Sequence, residues 1–158
     1  MKIESSVVLD ARVRDVMPHV MTLDKYVAWM PIVHRATVNQ SEPTTWDVEL
    51  RAKVGPLARS KRLTMHRTVC EENADGSGAR AVFERQETDG RKHSPWVLTV
   101  VLTSLALDSS TDAMSARTRV DVEMVYGGNL WTGGILERVL SDSIESGKSA
   151  LAELVRSA

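Results

Sequence analysis

The chain lacks the residue patterns of disulfide frameworks, zinc sites and membrane spans. It has one cysteine, Cys70, in 158 residues, so no internal disulfide can form, and no CxxC or Cys/His cluster is present. The net charge of −1 offers no global field to nucleic acid. The start of the chain carries Lys2 and Glu4 and no long apolar run, which argues against a signal peptide. We therefore expect a soluble, cytoplasmic single domain over residues 1–158, with no cofactor and no nucleic-acid partner.

Motifs of catalysis and phosphate binding are also missing. The chain has no nucleophile elbow, no Gly-rich phosphate loop and no paired-carboxylate motif. Its four histidines are scattered without a partner pattern. His34, on an apolar strand after two predicted short helices, is the histidine that we expect nearest to a cavity mouth.

The last third of the chain has the strongest helical pattern. Apolar residues recur three, four or seven positions apart, which is the period of one helix face. This predicts a helix over about 129–156, roughly 40 Å long at 1.5 Å per residue. The stripe consists of Leu136, Leu140, Ile144, Leu151, Leu154 and Val155, with Gly147 among them.

The preceding residues read as strands separated by short turns. A strand at 3–9 comes before two short helices, at 12–21 with Asp10 as N-cap and at 23–30. Six strands follow, at 32–39, 44–54, 59–71, 79–87, 94–107 and 114–126, with alternating apolar residues that give the sheet one apolar face. Short turns between consecutive strands predict an antiparallel sheet. We predict an α+β fold in which a curved antiparallel sheet of about seven strands wraps the long C-terminal helix.

Three stretches of the sequence resemble the helix-grip superfamily, also called START-like or SRPBCC, which includes lipid-transfer START domains and the polyketide cyclase/dehydrase group. They are VRDVMPHVMTLDKYVAWMP, the hairpin VELRAKVGPLARSKRLTM, and VDVEMVYGGNLWTGGILERVL before the long helix. The Val-Gly-Pro turn and the entry into the helix look most like the carbon monoxide dehydrogenase G branch of that superfamily. The resemblance implies a cavity for an apolar ligand between sheet and helix, and the branch implies a quinone-like or lipid-like molecule.

Aromatic and flexible apolar side chains are the first candidates for lining such a cavity. The tryptophans either fill the core or form an aromatic wall that combines area with an N–H donor. Methionines on inward positions suit an adaptable apolar pocket. These candidate ligand-binding residues are Trp29, Trp46, Trp96, Trp131, Met65, Met124, Phe83 and Ile144.

Two arginines share the inward parity of their strands. Arg67 follows Leu63 and Met65 at the same parity, and Arg85 follows Phe83. A buried charge needs a partner, which for Arg85 could be Glu87. Alternatively, either arginine could bind a carboxylate, phenolate or quinone oxygen of a ligand. A β-bulge would instead turn the side chain to solvent.

Between Glu49 and Glu71 the chain has six basic residues and no acidic one, a segment that we call the basic hairpin (51–67). This segment is either a solvated sheet face or a docking patch for an acidic protein or an anionic membrane surface. Its basic residues are Arg51, Lys53, Arg59, Lys61, Arg62 and Arg67.

Three functions remain open from the sequence, for a monomer or a homodimer. We expect a carrier or sensor of a small hydrophobic ligand (lipid, quinone or polyketide-like), because no paired acid and base is present. The alternative is a polyketide cyclase or aromatase that uses polar cavity groups such as Arg67, Arg85, His34 or Tyr26. The third is a partner-regulating module that acts through the basic hairpin.

Overall fold

A computed structural model describes residues 1–105, 116–127 and 135–156 of the chain. The order of the elements is the predicted one: two helical segments follow the first strand, six more strands come next, and a long helix is last. In chain order they are β1 (Lys2–Leu9), α1 (Val13–Val20), a 3₁₀ helix (Leu23–Ala28), β2 (Val33–Val38), β3 (Thr45–Val54), β4 (Leu57–Glu72), β5 (Gly78–Arg85), β6 (Trp96–Leu105), β7 (Arg117–Tyr126) and α2 (Ile135–Arg156).

The strands form one antiparallel, curved sheet in the order β1-β7-β6-β5-β4-β3-β2. From β2 to β7, each strand pairs with its neighbour in sequence, whereas β1 pairs with β7 from Lys2 opposite Val125 to Leu9 opposite Thr118. The first strand is thus held by the last. The predicted α+β helix-grip architecture is confirmed.

Alternation along the strands divides the sheet into an inner and an outer face. In β6, Trp96, Leu98, Val100 and Leu102 are all buried, and the residues between them are less so. The same alternation buries Trp46 and Val48 in β3, and Leu63 and Met65 in β4. These inner-face side chains are most of what the sheet contributes to the hydrophobic core.

The helix α2 covers the inner face of the sheet. Its 22 residues span about 33 Å. The predicted stripe is buried from Leu140 onward, with Leu140, Ile144, Gly147, Leu151 and Val155 buried and Leu154 half-buried, whereas the side chain of Leu136 lies outside what the structure describes. The predicted helical residues 129–134 lie outside the described residues. No helix in the described part of the chain is long and apolar enough to cross a membrane.

Two contacts hold α2 against the segment between the 3₁₀ helix and β2. The Ser143 hydroxyl accepts a hydrogen bond from the Ile32 N–H at 2.8 Å, and both residues are buried. One turn further, a Cβ at Gly147 would lie only 3.1 Å from the Trp29 carbonyl oxygen. Because Gly147 has no side chain, α2 can approach this segment closely. The hydrogen bond between Ser143 and Ile32 then holds the helix in that position.

The short helices differ from their predicted form. The first begins at Val13 after Arg12, without a side-chain cap, so the prediction of Asp10 as N-cap is wrong. The pairing of β1 with β7 continues to Leu9. Just after it, the Thr118 hydroxyl donates a hydrogen bond to the Ala11 carbonyl oxygen, which keeps this part of the chain beside β7. The second is a six-residue 3₁₀ helix, which is shorter than the predicted 23–30 segment. It ends where the Tyr26 carbonyl oxygen accepts hydrogen bonds from the N–H groups of residues 29 and 30.

We predict that Ser143→Ala lowers the free energy of unfolding by about 1–3 kcal/mol, because the buried Ile32 N–H loses its acceptor. Ser149→Ala, on an exposed position of the same helix, is the matched control and should change stability by less than about 0.5 kcal/mol. Urea unfolding measures both. Equal stabilities of the two variants would contradict the proposed anchoring role of Ser143.

Candidate ligand cavity

A cavity lies between the inner face of the sheet, α2 and the 3₁₀ helix. Strands β3, β4 and β6 contribute Val48, Leu50, Leu63, Met65, Trp96 and Leu98 to its wall, and β7 contributes Val122 and Met124. Leu140 and Ile144 of α2 close it from above, with Leu23, Tyr26 and Met30 at one side. Every described side chain of the wall is aliphatic, aromatic or a methionine.

The free volume of the cavity is about 60 Å³. One water needs about 10–15 Å³, so this volume is the size of only a few water molecules. Sites for drug-sized ligands are commonly about 300–1,000 Å³ in volume. A lipid-sized molecule therefore enters only if the wall moves, and Met30, Met65 and Met124 are the side chains best able to repack.

Only two polar groups belong to side chains of the described wall, and only one is satisfied. The Tyr26 hydroxyl donates to the Val20 carbonyl oxygen at 2.8 Å, and burial raises the pKa of Tyr26, so the phenol stays neutral. Trp96 is 2% exposed, and its Nε1 has no acceptor within the described residues. The indole N–H of Trp96 is therefore unpaired in the described part of the chain, and no nitrogen or oxygen atom of the wall is exposed to the free space of the cavity.

A cation lies beside Trp96. The Lys61 Nζ lies 5.4 Å from the centroid of the Trp96 ring, and the same ring stacks on Tyr126 with 5.1 Å between centroids. Burial lowers the pKa of Lys61, and the nearby Arg85 lowers it further, whereas Glu87 opposes both effects. Lys61 thus places a partly desolvated ammonium beside this aromatic pair, but it is not itself part of the cavity wall.

Arg85 is paired with Glu87 rather than free for a ligand. Its Nε donates to Glu87 Oε1 at 2.8 Å, and the two side chains are only 9% and 16% exposed. The remaining guanidinium nitrogens reach the Ser94 carbonyl and His93 Nδ1 at 3.3 and 3.2 Å. Burial alone would raise the pKa of Glu87, but hydrogen bonds from Arg85 and Thr64 outweigh it and hold that pKa below its usual range.

Arg67 is also occupied by the protein itself. Its Nη1 donates to the Met21 carbonyl oxygen at 2.7 Å, and its guanidinium carbon lies 5.7 Å from the centroid of the Trp46 ring. The pairing of β4 with β5 shifts register between Arg67 and Val69. This bulge does not free the side chain, which remains half-buried and is not part of the cavity wall.

Of the predicted ligand-binding residues, the structure brings four into the cavity wall: Met65, Trp96, Met124 and Ile144. His34 is exposed on β2, and Trp131 lies outside the described residues. Arg67 and Arg85 are away from this wall, as are the remaining three candidates, Trp29, Trp46 and Phe83.

Those three aromatic residues form a packed cluster with Tyr26. Ring centroids are 4.6 Å apart for Tyr26 and Trp29, 6.3 Å for Tyr26 and Phe83, and 5.7 Å for Trp46 and Phe83. The indole N–H of Trp46 donates to Asp24 and that of Trp29 to the His19 carbonyl, each at 3.0 Å. Because their donors are satisfied and their rings are packed, these side chains serve the core.

Sequence reasoning missed several wall residues, including Leu23, Ile32 and Leu98, although strand alternation marks Leu98 as inward. It also assigned Lys61 only to the basic hairpin, whereas Lys61 has the same parity in β4 as Leu63 and Met65. Among the described residues no group of three His, Cys, Asp or Glu side chains could hold a metal ion.

Comparison with known proteins identifies the fold and not a family. No protein-family model matches the chain, and no curated protein matches its sequence. A START superfamily protein from Mycobacterium smegmatis aligns over 99% of this chain and 97% of its own, with 12% identity and a TM-score of 0.62. A STAR-related lipid transfer protein from Xanthomonas axonopodis aligns over 98% and 85%, with 16% identity and a TM-score of 0.68.

The Zhui aromatase/cyclase from a Streptomyces species aligns over 99% of this chain and 93% of its own, with 14% identity and a TM-score of 0.59. The narrower resemblance to the carbon monoxide dehydrogenase G branch is not supported by these comparisons. At such identities the similarity concerns backbone architecture alone. The chain has the START-like helix-grip fold, with its cavity between the curved sheet and the C-terminal helix.

Proposed function

We propose that this domain binds a small hydrophobic molecule in the cavity and acts as its carrier or sensor. The observation that carries the proposal is the wall itself, in which every described side chain is apolar or aromatic. Burial of a ligand's apolar surface there would contribute about 25 cal/mol per Å². The fold shared with a lipid transfer protein and an aromatase/cyclase supports a lipid or polyketide-like ligand.

Catalysis of the cyclase type is the alternative, and the placement of the polar residues favours it less. General acid–base chemistry needs a donor or acceptor within hydrogen-bond reach of the reacting atom. Of the four residues that such an enzyme would use here, only Tyr26 lines the cavity, and its hydroxyl is engaged by Val20. Arg67 and Arg85 bind protein groups, and His34 faces outward.

We also propose that the tip of the β3–β4 hairpin touches an anionic membrane surface, from which an apolar ligand could be collected. Leu57 at the tip is 61% exposed, beside a turn in which Gly55 has a φ of 62°. Exposed Lys53 and Arg59 flank this leucine on the two strands. An apolar tip between basic side chains complements acyl chains and acidic headgroups together.

Filling the cavity should abolish ligand binding without unfolding the domain. We predict that Met124→Trp reduces binding of the uncharged fluorescent probe N-phenyl-1-naphthylamine at least tenfold, because the larger ring occupies the wall's free space. Val125→Trp, one residue along β7 and on the opposite face, is the matched control and should bind the probe normally. Circular dichroism confirms that both variants fold. Undiminished binding by folded Met124→Trp protein would place the ligand elsewhere.

Native mass spectrometry of protein purified from its own host tests the same proposal without a chosen probe. A lipophile that is bound in a fixed ratio and released on denaturation would support a carrier and identify the ligand class. A clean apo mass, together with no thermal shift by quinones, fatty acids or polyketides, would contradict it.

Membrane contact is tested with vesicles of phosphatidylglycerol or phosphatidylcholine. The Lys53→Gln/Arg59→Gln double variant should bind anionic vesicles about 20- to 30-fold more weakly, since each basic residue contributes about 1 kcal/mol at such a surface. Arg14→Gln/Arg80→Gln removes two exposed charges outside the hairpin and is the control. Equal losses in both double variants, or equal binding to both lipids, would contradict the proposed contact. An acidic protein would then be the remaining partner.

A further inference from the structure

The free space of the cavity touches no nitrogen or oxygen atom of the wall that the structure describes. The buried polar side chains of the described core, Thr45, Thr118 and Ser143, all lie outside this wall. A ligand in the described cavity therefore meets only carbon and sulfur atoms, and a thioether sulfur is at most a weak acceptor.

The polar groups that the wall residues carry are used or covered by the protein. The Tyr26 hydroxyl donates to the Val20 carbonyl oxygen, and the Ile32 N–H donates to the Ser143 hydroxyl. The Trp96 N–H has no acceptor in the described chain, but its Nε1 is buried and so is covered as well. Strands β3, β4, β6 and β7 each pair on both sides, which engages their backbone N–H and C=O groups.

A narrow crevice between β1 and α2 adjoins the cavity and has the same character. Met30, Val122 and Ile144 belong to the walls of both spaces. Two serines of β1 and a lysine of α2 also border the crevice, but no nitrogen or oxygen atom of its described wall is exposed within it. A chain that extends from the cavity past the flexible Met30 side chain would thus still meet no polar partner.

We propose that this cavity admits only the hydrocarbon part of a ligand, and that every polar group of the ligand stays outside it. This inference rests on the proposed function, since it specifies the ligand of the same cavity. A ketone or hydroxyl inside would give up its hydrogen bonds to water and gain none, which weakens binding by at least about tenfold. A carboxylate would lose more, because an unpaired buried charge costs more than an unpaired dipole.

This selectivity separates the two ligand classes that the fold leaves open. A polyketide chain carries a carbonyl on alternate carbons, so a stretch long enough to fill the cavity would bury several unpaired oxygens. A lipid can place its acyl or isoprenoid tail in the cavity and keep its headgroup in water. Cyclase chemistry meets the same difficulty as the polyketide, because a reacting carbonyl needs a polar group within reach.

Two pairs of ligands with matched shapes test the selectivity. Naphthalene and quinoline differ by one ring nitrogen that accepts a hydrogen bond, and indene and indole differ by one N–H donor. Their affinities for the full-length protein are measured by equilibrium dialysis at pH 8, where all of them are uncharged. Each affinity is then divided by the ligand's partition coefficient between hexadecane and water. Within each pair the quotients should agree to about threefold, because the wall treats a polar atom as an alkane does.

Val122→Thr should create the hydrogen-bonding partner that the wall lacks. Threonine keeps the shape of valine, and its hydroxyl both donates and accepts. We expect the quotients of quinoline and indole to rise about tenfold and those of naphthalene and indene to stay the same. Val101→Thr, on the outer face of the neighbouring strand β6, is the matched control and should change none of the four. Thermal unfolding confirms that both variants fold.

The outcomes distinguish this inference from the proposed function. If quinoline or indole exceeds its partner's quotient by more than about threefold in wild-type protein, a polar group reaches the ligand, so the inference is wrong and the apolar cavity stands. Unchanged quinoline and indole binding by folded Val122→Thr protein would equally overturn it. If none of the four ligands binds to folded protein, the proposed function itself fails.

Discussion

The close approach of α2 to the segment between the 3₁₀ helix and β2 determines where the rest of the inner face can pack. A single long helix must cover seven curved strands, and it can touch the opposing layer tightly only where a small residue permits. Gly147 meets the Trp29 carbonyl there, and Ser143 fixes the contact through the Ile32 N–H. Since a rigid helix cannot follow the sheet's curvature along its whole length, tight contact at this point leaves space elsewhere beneath it.

That geometry produces two regions of different character within one core. On one side, aromatic rings interlock around Tyr26, and the indole donors of Trp29 and Trp46 are satisfied by nearby groups. On the other, leucines and methionines surround a small free volume, and Tyr26 belongs to both regions. On the aromatic side, movement of the rings would break these hydrogen bonds. The methionine-rich side can repack at little cost, which is what ligand entry requires.

Strand alternation in the sequence predicts which side chains face inward, but it does not predict which of them meet a ligand. Trp46 and Trp96 illustrate the limit, because both lie on inward positions of predicted strands. Trp46 finds its acceptor in Asp24, more than twenty residues away on the 3₁₀ helix, and Trp96 finds none in the described chain. The difference depends on how separate elements dock, and no local pattern encodes it. The α+β fold, by contrast, follows from periodicity that is local.

Three cations of the described strands lie beside the core, and each of them contacts other groups of the protein. Arg85 is ion-paired with Glu87, and Arg67 donates a hydrogen bond to the Met21 carbonyl, so both guanidinium groups have partners within the protein. Lys61 has the same strand parity as Arg67 but lies where β4 extends past the cavity toward the hairpin tip. Its ammonium lies over the Trp96 ring, whereas the two arginines are held by hydrogen bonds. At about 3.3 Å per residue, Lys61 is some 13 Å along the strand from Leu57. One strand therefore connects the proposed membrane contact with the side chain that lies over Trp96, a residue of the cavity wall.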